Sequence, residues 1–234
     1  MFDAIAGRYD LLNHLLSAGL DRHWRARAVK ALNLTGRETV LDLCTGTADI
    51  ALATAGDLHT GRVIGIDFST AMLRLAKEKV RETGTPGPAA APIHLIRGDA
   101  TRLPLQDASV DAVTIGFGIR NVEEPMDTFG EVLRVLRPNG TLAVLEFSLP
   151  RGALVRRLYL WYFRNVLPRI GRAISRHPTA YTYLPASVEA FGSPEAFVQQ
   201  LRSAGFATAH AVPLTFGVVY LFVAGRHDAG AASA

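Results

Sequence analysis

Between residues 40 and 147, short apolar runs alternate with amphipathic stretches. Residues 40–43, 63–66, 93–96, 110–115 and 141–146 are short, rich in β-branched side chains and bounded by Gly, Asp or Pro, which predicts five strands. Residues 49–55, 69–82 and 125–136 carry apolar positions at helical spacing, and Ser69 is placed to cap the second of these helices. Strand and helix in alternation argue for a parallel sheet with right-handed crossovers. Upstream, residues 2–32 read as helical: Leu11, Leu12, Leu15 and Leu16 share a face, Gly19-Leu20-Asp21 breaks the pattern, and Trp24, Ala28 and Leu32 mark a second helix. Downstream, 152–166 predicts a helix and 168–192 an irregular stretch containing Pro168, Pro178 and Pro185. A helix over 195–204 ends at Gly205, and 207–214 with 218–224 predicts a closing antiparallel pair. Residues 84–92 read as an exposed loop, and Arg137-Pro138-Asn139-Gly140 as a turn. The sum is an α/β fold: a mostly parallel seven-stranded sheet with a C-terminal antiparallel strand pair and added N-terminal helices.

Composition narrows the class. At 234 residues, 49% of them apolar, the chain can bury a sizeable core as one domain. No apolar run approaches the ~20 residues needed to cross a bilayer, and Met1-Phe2-Asp3 begins no secretory signal. Cys44 is the single cysteine, so intramolecular disulfides and cysteine cages are excluded; no metal site is expected, and a cytoplasmic location is. The formal charge is only +4, but Arg151, Arg156, Arg157, Arg164, Arg169, Arg172 and Arg176 crowd one segment with Tyr159, Trp161, Tyr162 and Phe163. That segment suits peripheral contact with an anionic membrane, at the inner face of the cell membrane. No Cys/His finger or aromatic RNA-reading motif accompanies it, so no nucleic acid partner is expected.

The chemistry concentrates at residues 40–49, Val-Leu-Asp-Leu-Cys-Thr-Gly-Thr-Ala-Asp, followed one helix later by Gly65-Ile66-Asp67. A strand, a small-residue turn, a helix and a second strand ending in an acid make a nucleoside site at the carboxyl edge of a parallel sheet. A dinucleotide turn needs Gly-x-Gly-x-x-Gly for its pyrophosphate, and only Gly46 is present. Asp42 and Asp49 would repel pyrophosphate, whereas they suit S-adenosyl-L-methionine, which carries an ammonium and a sulfonium. Gly46 admits close backbone approach, Thr47 offers a hydroxyl, and Asp67 is placed for two ribose hydroxyls. Asp99 and Ala100 are placed for the adenine amino group and a ring nitrogen, with Phe68 and Met72 against the adenine face. Individually each has a bland reading as a helix cap, turn or core residue; their order along successive strands carries the assignment.

With those residues in place the chain resembles the class I methyltransferases, and within them the menaquinone and ubiquinone biosynthesis C-methyltransferases. The resemblance runs from Phe2 to Gly225. It rests on Phe2-Asp3-Ala4-Ile5-Ala6-x-Arg8-Tyr9-Asp10-x-x-Asn13, Ser17-x-Gly19-Leu20-x-Arg22-x-Trp24 and Phe117-Gly118-Ile119-Arg120-Asn121-Val122. Leu145-Glu146-Phe147-Ser148-x-Pro150 and Tyr181-x-Tyr183-Leu184-x-x-Ser187 extend it. The resemblance implies a class I methyltransferase Rossmann-like fold and methyl transfer to a ring carbon of a polyprenylated quinol. It carries the family's cofactor residues onto Thr47, Asp67, Asp99, Ala100 and Gly116. Two positions depart from the pattern. Ala48 stands where the family usually has Gly, which adds a methyl beside the cofactor and is costly if φ there is positive; Gly116 stands where many members have Ser.

The implied acceptor carbon needs electron density, so the substrate is the reduced ring after a hydroxyl loses its proton. Arg120, after the fourth strand, is read as the fixed positive charge that stabilises the phenolate, with a structural ion pair to Glu123 or Glu146 as the competing reading. Asn121 would orient the hydroxyl, and Tyr9, with Asp10 and His14, would cap the pocket. His177 or Tyr181 is a candidate proton acceptor. Leu158, Trp161, Tyr162, Val166, Leu167 and the region 216–222 are candidates for a prenyl channel. The short N-terminus without a transit peptide favours a bacterial protein and demethylmenaquinol as substrate; the ubiquinone-pathway benzoquinol, or another phenolic small molecule, is the alternative. A non-catalytic cofactor-binding scaffold and an NAD-dependent dehydrogenase are the competing classes. The expected organisation is one methyltransferase domain over 1–226, with a helical cap (1–35), cofactor-binding core (36–147), substrate lid (148–192), closing helix and strands (193–226), and a disordered tail (227–234). A homodimer is kept as a partner expectation.

Overall fold

A computed structural model describes residues 17, 19–83, 91–162, 165, 187–188 and 190–227. Helix α1 (Leu20–Ala31) is followed by β1 (Thr39–Leu43), α2 (Asp49–Asp57), β2 (Arg62–Asp67), α3 (Thr70–Thr83) and β3 (Ile93–Arg97). The chain then forms β4 (Val110–Gly116), a 3-10 turn (Ile119–Asn121), α4 (Pro125–Val135), β5 (Leu136–Phe147) and α5 (Ala153–Trp161). It closes with α6 (Pro194–Ser203), β6 (Thr208–Leu214) and β7 (Val219–Gly225). The strands make one seven-stranded sheet in the order β3-β2-β1-β4-β5-β7-β6. β1 to β5 are parallel, and β7 runs antiparallel between β5 and β6.

The order places β1 at the centre, and all five of its residues are buried, as a strand covered on both faces must be. Alternation along the strands divides the core in two. Val40, Val63, Ala112 and Leu145 pack with Trp24, Ala28, Ala51 and Ala76 of the first three helices. Leu41, Leu43, Val113 and Ile115 pack with Phe129, Val132, Phe197 and Leu201 of α4 and α6. The sheet reverses its strand order between β1 and β4, which opens a crevice at their carboxyl ends.

Most element boundaries follow the sequence reading within a residue or two; α5 ends at Trp161 rather than 166, residues 187–188 and 190, expected to be irregular, are helical, and one further difference is of kind. Residues 137–140, read as a turn, lie inside β5. Leu136 pairs with Val110 and Thr141 with Ala112, so these four residues stand opposite Asp111 alone. Asn139 takes φ 63° at this bulge, and Arg137 is anchored to Asp111 at 2.6 Å. Turn chemistry is used here to kink a strand. The stretch between β3 and β4 contains no helix and is held by Arg134, which binds Glu131, Asp107 and the carbonyls of Leu103 and Leu105. Ser69 caps α3 as expected, accepting from Met72 N–H at 3.1 Å. Ser193 does the same for α6 through Ala196 N–H.

Among the described residues no helix is long and apolar enough to cross a membrane. Tyr9, Asp10, His14, His177 and Tyr181 lie outside the described residues, as do Val166, Leu167 and positions 228–234.

Candidate functional site

The β1–α2 turn is built from three left-handed residues, Cys44 (φ 56°), Gly46 (φ 56°) and Ala48 (φ 67°). It curls the backbone back so that Gly46 N–H donates to Asp67 Oδ2 at 2.8 Å and Thr45 N–H to the Ile66 carbonyl at 3.0 Å. The other oxygen of Asp67 accepts from Ser69 N–H at 2.8 Å. Asp67 therefore ties the first turn to the second.

Above these turns lies a cavity of about 460 Å³, at the carboxyl ends of β1, β2, β3 and β4. It gathers Gly46, Asp67, Phe68, Met72, Asp99, Ala100, Gly116 and Asn121, eight of the residues singled out from sequence. Phe68 stands at its lip, 69% exposed, with the Arg97 guanidinium 5.7 Å from its ring centroid. Thr101 engages Asp99 Oδ1 through its N–H at 2.9 Å and its hydroxyl at 2.8 Å, and these bonds hold the carboxyl below its ordinary range. Gly116 has a packing reason: a Cβ there would run into Cδ1 of Ile50.

Behind the turn a recess of about 50 Å³ shares Gly46 and Gly116 with the cavity, and Asp42 and Thr47 face it. Asp42 is 2% exposed. It accepts from Thr45 Oγ1 at 2.6 Å and Thr114 Oγ1 at 2.7 Å, yet burial pushes its carboxyl up to about 6. Thr47 takes a bond from Lys79 Nζ at 3.2 Å.

Asp49 and Arg25 also line the recess; Asp49 is bridged to Lys79 at 2.8 Å and to Arg25 at 3.0 Å, which joins α1, α2 and α3. One sequence inference needs correction, the Ala48 methyl expected beside the cofactor. Ala48 is fully buried, packed in the core cluster that includes Val40, Ala51 and Ala55, while its positive φ is as anticipated.

The acids that line the cavity are Asp67, Asp99, Glu123 and Glu124, and among its described lining residues there is no Lys, Arg or His. Glu123 and Glu124 were missed as wall residues, although their place directly after Asn121-Val122 at a strand's carboxyl edge was legible. Cys44, Ser69 and Thr101 were also missed. Burial, then the carboxylates of Asp67, Asp42, Glu146 and Asp99, push the Cys44 thiol up, which makes it a packing group and no nucleophile.

Arg120 does not line this cavity. Its Nη1 is 2.5 Å from Glu146 Oε1 and 2.6 Å from the Phe117 carbonyl, with Phe147 beneath the guanidinium at 5.6 Å. Its side chain is 7% exposed and that of Glu146 fully buried. Burial pushes the Glu146 carboxyl up, and Arg120 opposes that shift. Of the two ion-pair partners weighed for Arg120, Glu146 is the one present. The prenyl-channel candidates are dispersed: Leu158 and Trp161 are exposed, Phe216 is exposed, and Phe222 sits in the core.

The donor set fits S-adenosylmethionine. A cavity lined by acids, with no cation among its described lining residues, disfavours a pyrophosphate and accepts a nucleoside that bears positive charge; the recess sets Asp42 and Asp49 beside Arg25, which suits an amino-acid end with both an ammonium and a carboxylate, and Gly46 with Gly116 removes side chains from the backbone it must approach.

Comparison with known proteins agrees. Solved structures share the fold, among them a SAM-dependent methyltransferase from Aquifex aeolicus, with a TM-score of 0.63 at 20% identity over 86% of this chain and 88% of that one. This fold is that of the class I methyltransferases. The chain is 46% identical to the ubiquinone/menaquinone biosynthesis C-methyltransferase of Syntrophotalea carbinolica, over 95% of this chain and 91% of that protein. It is 45% identical to the demethylmenaquinone methyltransferase of Deinococcus radiodurans, over 95% and 90% of the two chains. A family model described as the ubiE/COQ5 methyltransferase family matches residues 1–226. An S-adenosylmethionine-dependent methyltransferase by site and by relatives, this chain belongs to the ubiE/COQ5 methyltransferase family.

Proposed function

We propose that this protein methylates a ring carbon of a polyprenylated quinol, using S-adenosylmethionine, in menaquinone or ubiquinone biosynthesis, with demethylmenaquinol as the substrate. The observation that carries the cofactor is the cavity at four strand ends, whose described lining residues include four carboxylates and no cation. The acceptor rests on the family and on what its named members act upon.

S-adenosylmethionine, when bound, supplies an electrophilic methyl group. The protein's part is to bind, orient and exclude water. In this reading Asp67 accepts the ribose hydroxyls, Asp99 Oδ2 and Ala100 N–H meet the adenine, and Phe68 and Met72 flank the base. The recess with Asp42 and Thr47 takes the amino-acid end beside Gly46 and Gly116. Asn121, on the cavity wall, orients the quinol hydroxyl. Arg120 acts from behind the wall: it fixes the turn that carries Asn121 by holding the Phe117 carbonyl, and turns towards the phenolate a guanidinium whose charge Glu146 partly offsets. Tyr9, which lies outside the described residues, keeps the capping role expected from sequence.

Peripheral contact with an anionic membrane is a second proposal, supported by α5. Leu154, Leu158 and Trp161 stand at i, i+4 and i+7, on one helix face, and are 64%, 58% and 58% exposed. Arg151, Arg156 and Arg157 flank that stripe. A homodimer stays an expectation on which the described residues do not bear.

The deciding assay incubates the purified protein with S-adenosylmethionine and a demethylmenaquinol held reduced by dithionite. Methylated ring and S-adenosylhomocysteine are expected in equal amounts, and the oxidised quinone gives neither. Preference for a demethylated benzoquinol assigns the ubiquinone branch, and turnover of unprenylated phenols alone rejects the acceptor class.

A further inference from the structure

A second cavity of about 460 Å³ lies beyond the 3-10 turn from the cofactor cavity, lined by Ile119, Arg120, Val122, Pro125, Phe191 and Phe197 among others. Val122 belongs to the walls of both cavities. Two aromatic rings make one side, Phe191 and Phe197, with centroids 5.0 Å apart, and aliphatic carbon makes most of the other. Among its described lining residues the one charged group is Arg120, whose charge is countered by Glu146. Ser187, Ala190 and Gln200 complete the lining, Ala190 and Gln200 from exposed positions.

We propose that this cavity receives the ring-proximal isoprene units of the substrate's prenyl chain, an inference that rests on the quinol reading above. A ring held at Asn121 for methyl transfer carries its chain as a fixed substituent, and that chain needs an apolar route starting within one residue of the ring. Val122, next to Asn121 and common to both cavities, provides the junction. Unsaturated hydrocarbon suits this lining: it desolvates no lone pair, fills space between aromatic faces, and gains ~25 cal/mol per Å² of apolar surface removed from water. The volume falls in the ~300–1,000 Å³ range of small-molecule sites. The same arrangement explains Arg120's two-sided position, with its guanidinium bonded at the turn and its flank in the chain's wall. The prenyl chain thereby enters between α4 and α6, away from the exposed stripe of α5.

Two variants fill the cavity from opposite sides, Ala190→Trp and Gln200→Trp. Calorimetric titration with farnesol, a free prenyl alcohol, reads the cavity without any methyl transfer. Saturable binding to the wild-type protein, weakened at least tenfold by either variant, is expected. No binding, or equal binding to all three proteins, overturns the proposal. Turnover gives the second reading: the ratio of kcat/KM for a diprenyl demethylnaphthoquinol to that for its tail-less counterpart should fall at least tenfold in the variants, and an unchanged ratio overturns the proposal. Gln200→Trp decides the matter where Ala190→Trp does not fold. A wild-type protein that binds farnesol in this cavity yet methylates no quinol refutes the quinol reading and leaves a prenyl site standing.

Discussion

Arg120 meets two demands that its surroundings set against each other. A phenolate needs a positive charge near it, and a buried guanidinium needs a counter-ion. Glu146 at 2.5 Å satisfies the second and weakens the first. One nitrogen, Nη1, bonds both Glu146 and the Phe117 carbonyl, and lysine lacks the guanidinium plane that lies over Phe147 and fixes that nitrogen in place. Arg120→Lys should therefore lower turnover about 100-fold while S-adenosylmethionine affinity, by calorimetry, stays within about threefold; normal turnover sinks the assignment. Glu146→Gln leaves the guanidinium uncompensated in the core, at a cost on the order of 3 kcal/mol, read as a lower midpoint in urea. Asp42 supplies a pH dependence. Its folded carboxyl, raised by burial to about 6 from 3.8, is destabilising when ionised, so this group's contribution to stability improves as pH falls through 6. Cofactor binding runs the other way, because a cation in the recess favours the carboxylate. Asp99 is held low and stays ionised across the window. Affinity for S-adenosylmethionine should drop about fourfold between pH 7 and 5.5 through one linked proton, and Asp42→Asn should flatten that slope. An affinity that rises on acidification contradicts the placement. These acids were legible as a set, since each follows a strand. How each is compensated was not, because Asp49 is bridged to Arg25 and Lys79, residues 24 positions before it and 30 after.

Helix α2 begins from a left-handed alanine, and the structure shows why that is tolerated. Positive φ costs Ala on the order of 1 kcal/mol against Gly. Its methyl, fully buried, returns ~0.8 kcal/mol, and Gly would add unfolded-state freedom worth ~0.4–1 kcal/mol. Ala48→Gly should therefore shift stability by less than about 1 kcal/mol in either direction, and a larger change in urea denaturation shows that strain or packing dominates there. Helix α5 makes the opposite kind of case. Its apolar face is turned outward, so replacing Leu154, Leu158 and Trp161 together by Gln should leave the melting temperature within a few degrees, since no core contact is lost. Sedimentation with phosphatidylglycerol vesicles should fall at least tenfold. Wild-type protein that stays in solution with such vesicles ends the membrane proposal. Periodicity alone predicted both helices. It could not tell which face of α5 was covered, since an amphipathic pattern is the same whether its apolar stripe meets a core or solvent.

Across the whole molecule, the sheet holds both cavities in register. Phe222 on β7 contacts Phe197 at 4.5 Å between centroids and is 1% exposed. Phe222→Ala should cost about 3–5 kcal/mol by urea denaturation and weaken farnesol binding with it, because Phe197 walls the second cavity. A loss below about 1 kcal/mol shows that the core collapses around the gap. The sequence by itself determined the strands, their alternation with helices and the choice of a cationic nucleoside over a dinucleotide. Each of these depends on neighbours within a few residues: a β-branched run, a capping serine, a turn with one glycine where three are required. Only the tertiary structure decided that residues 137–140 kink a strand, that Asp49 is bridged to Arg25 and Lys79, that Glu123 and Glu124 line the cofactor cavity, and that Arg120 lies between two cavities against Glu146. The physical reason is common to all four. Charge, desolvation and exposure are set by whatever stands opposite in space, and Arg120 and Glu146 are 26 residues apart in sequence and 2.5 Å apart in the fold.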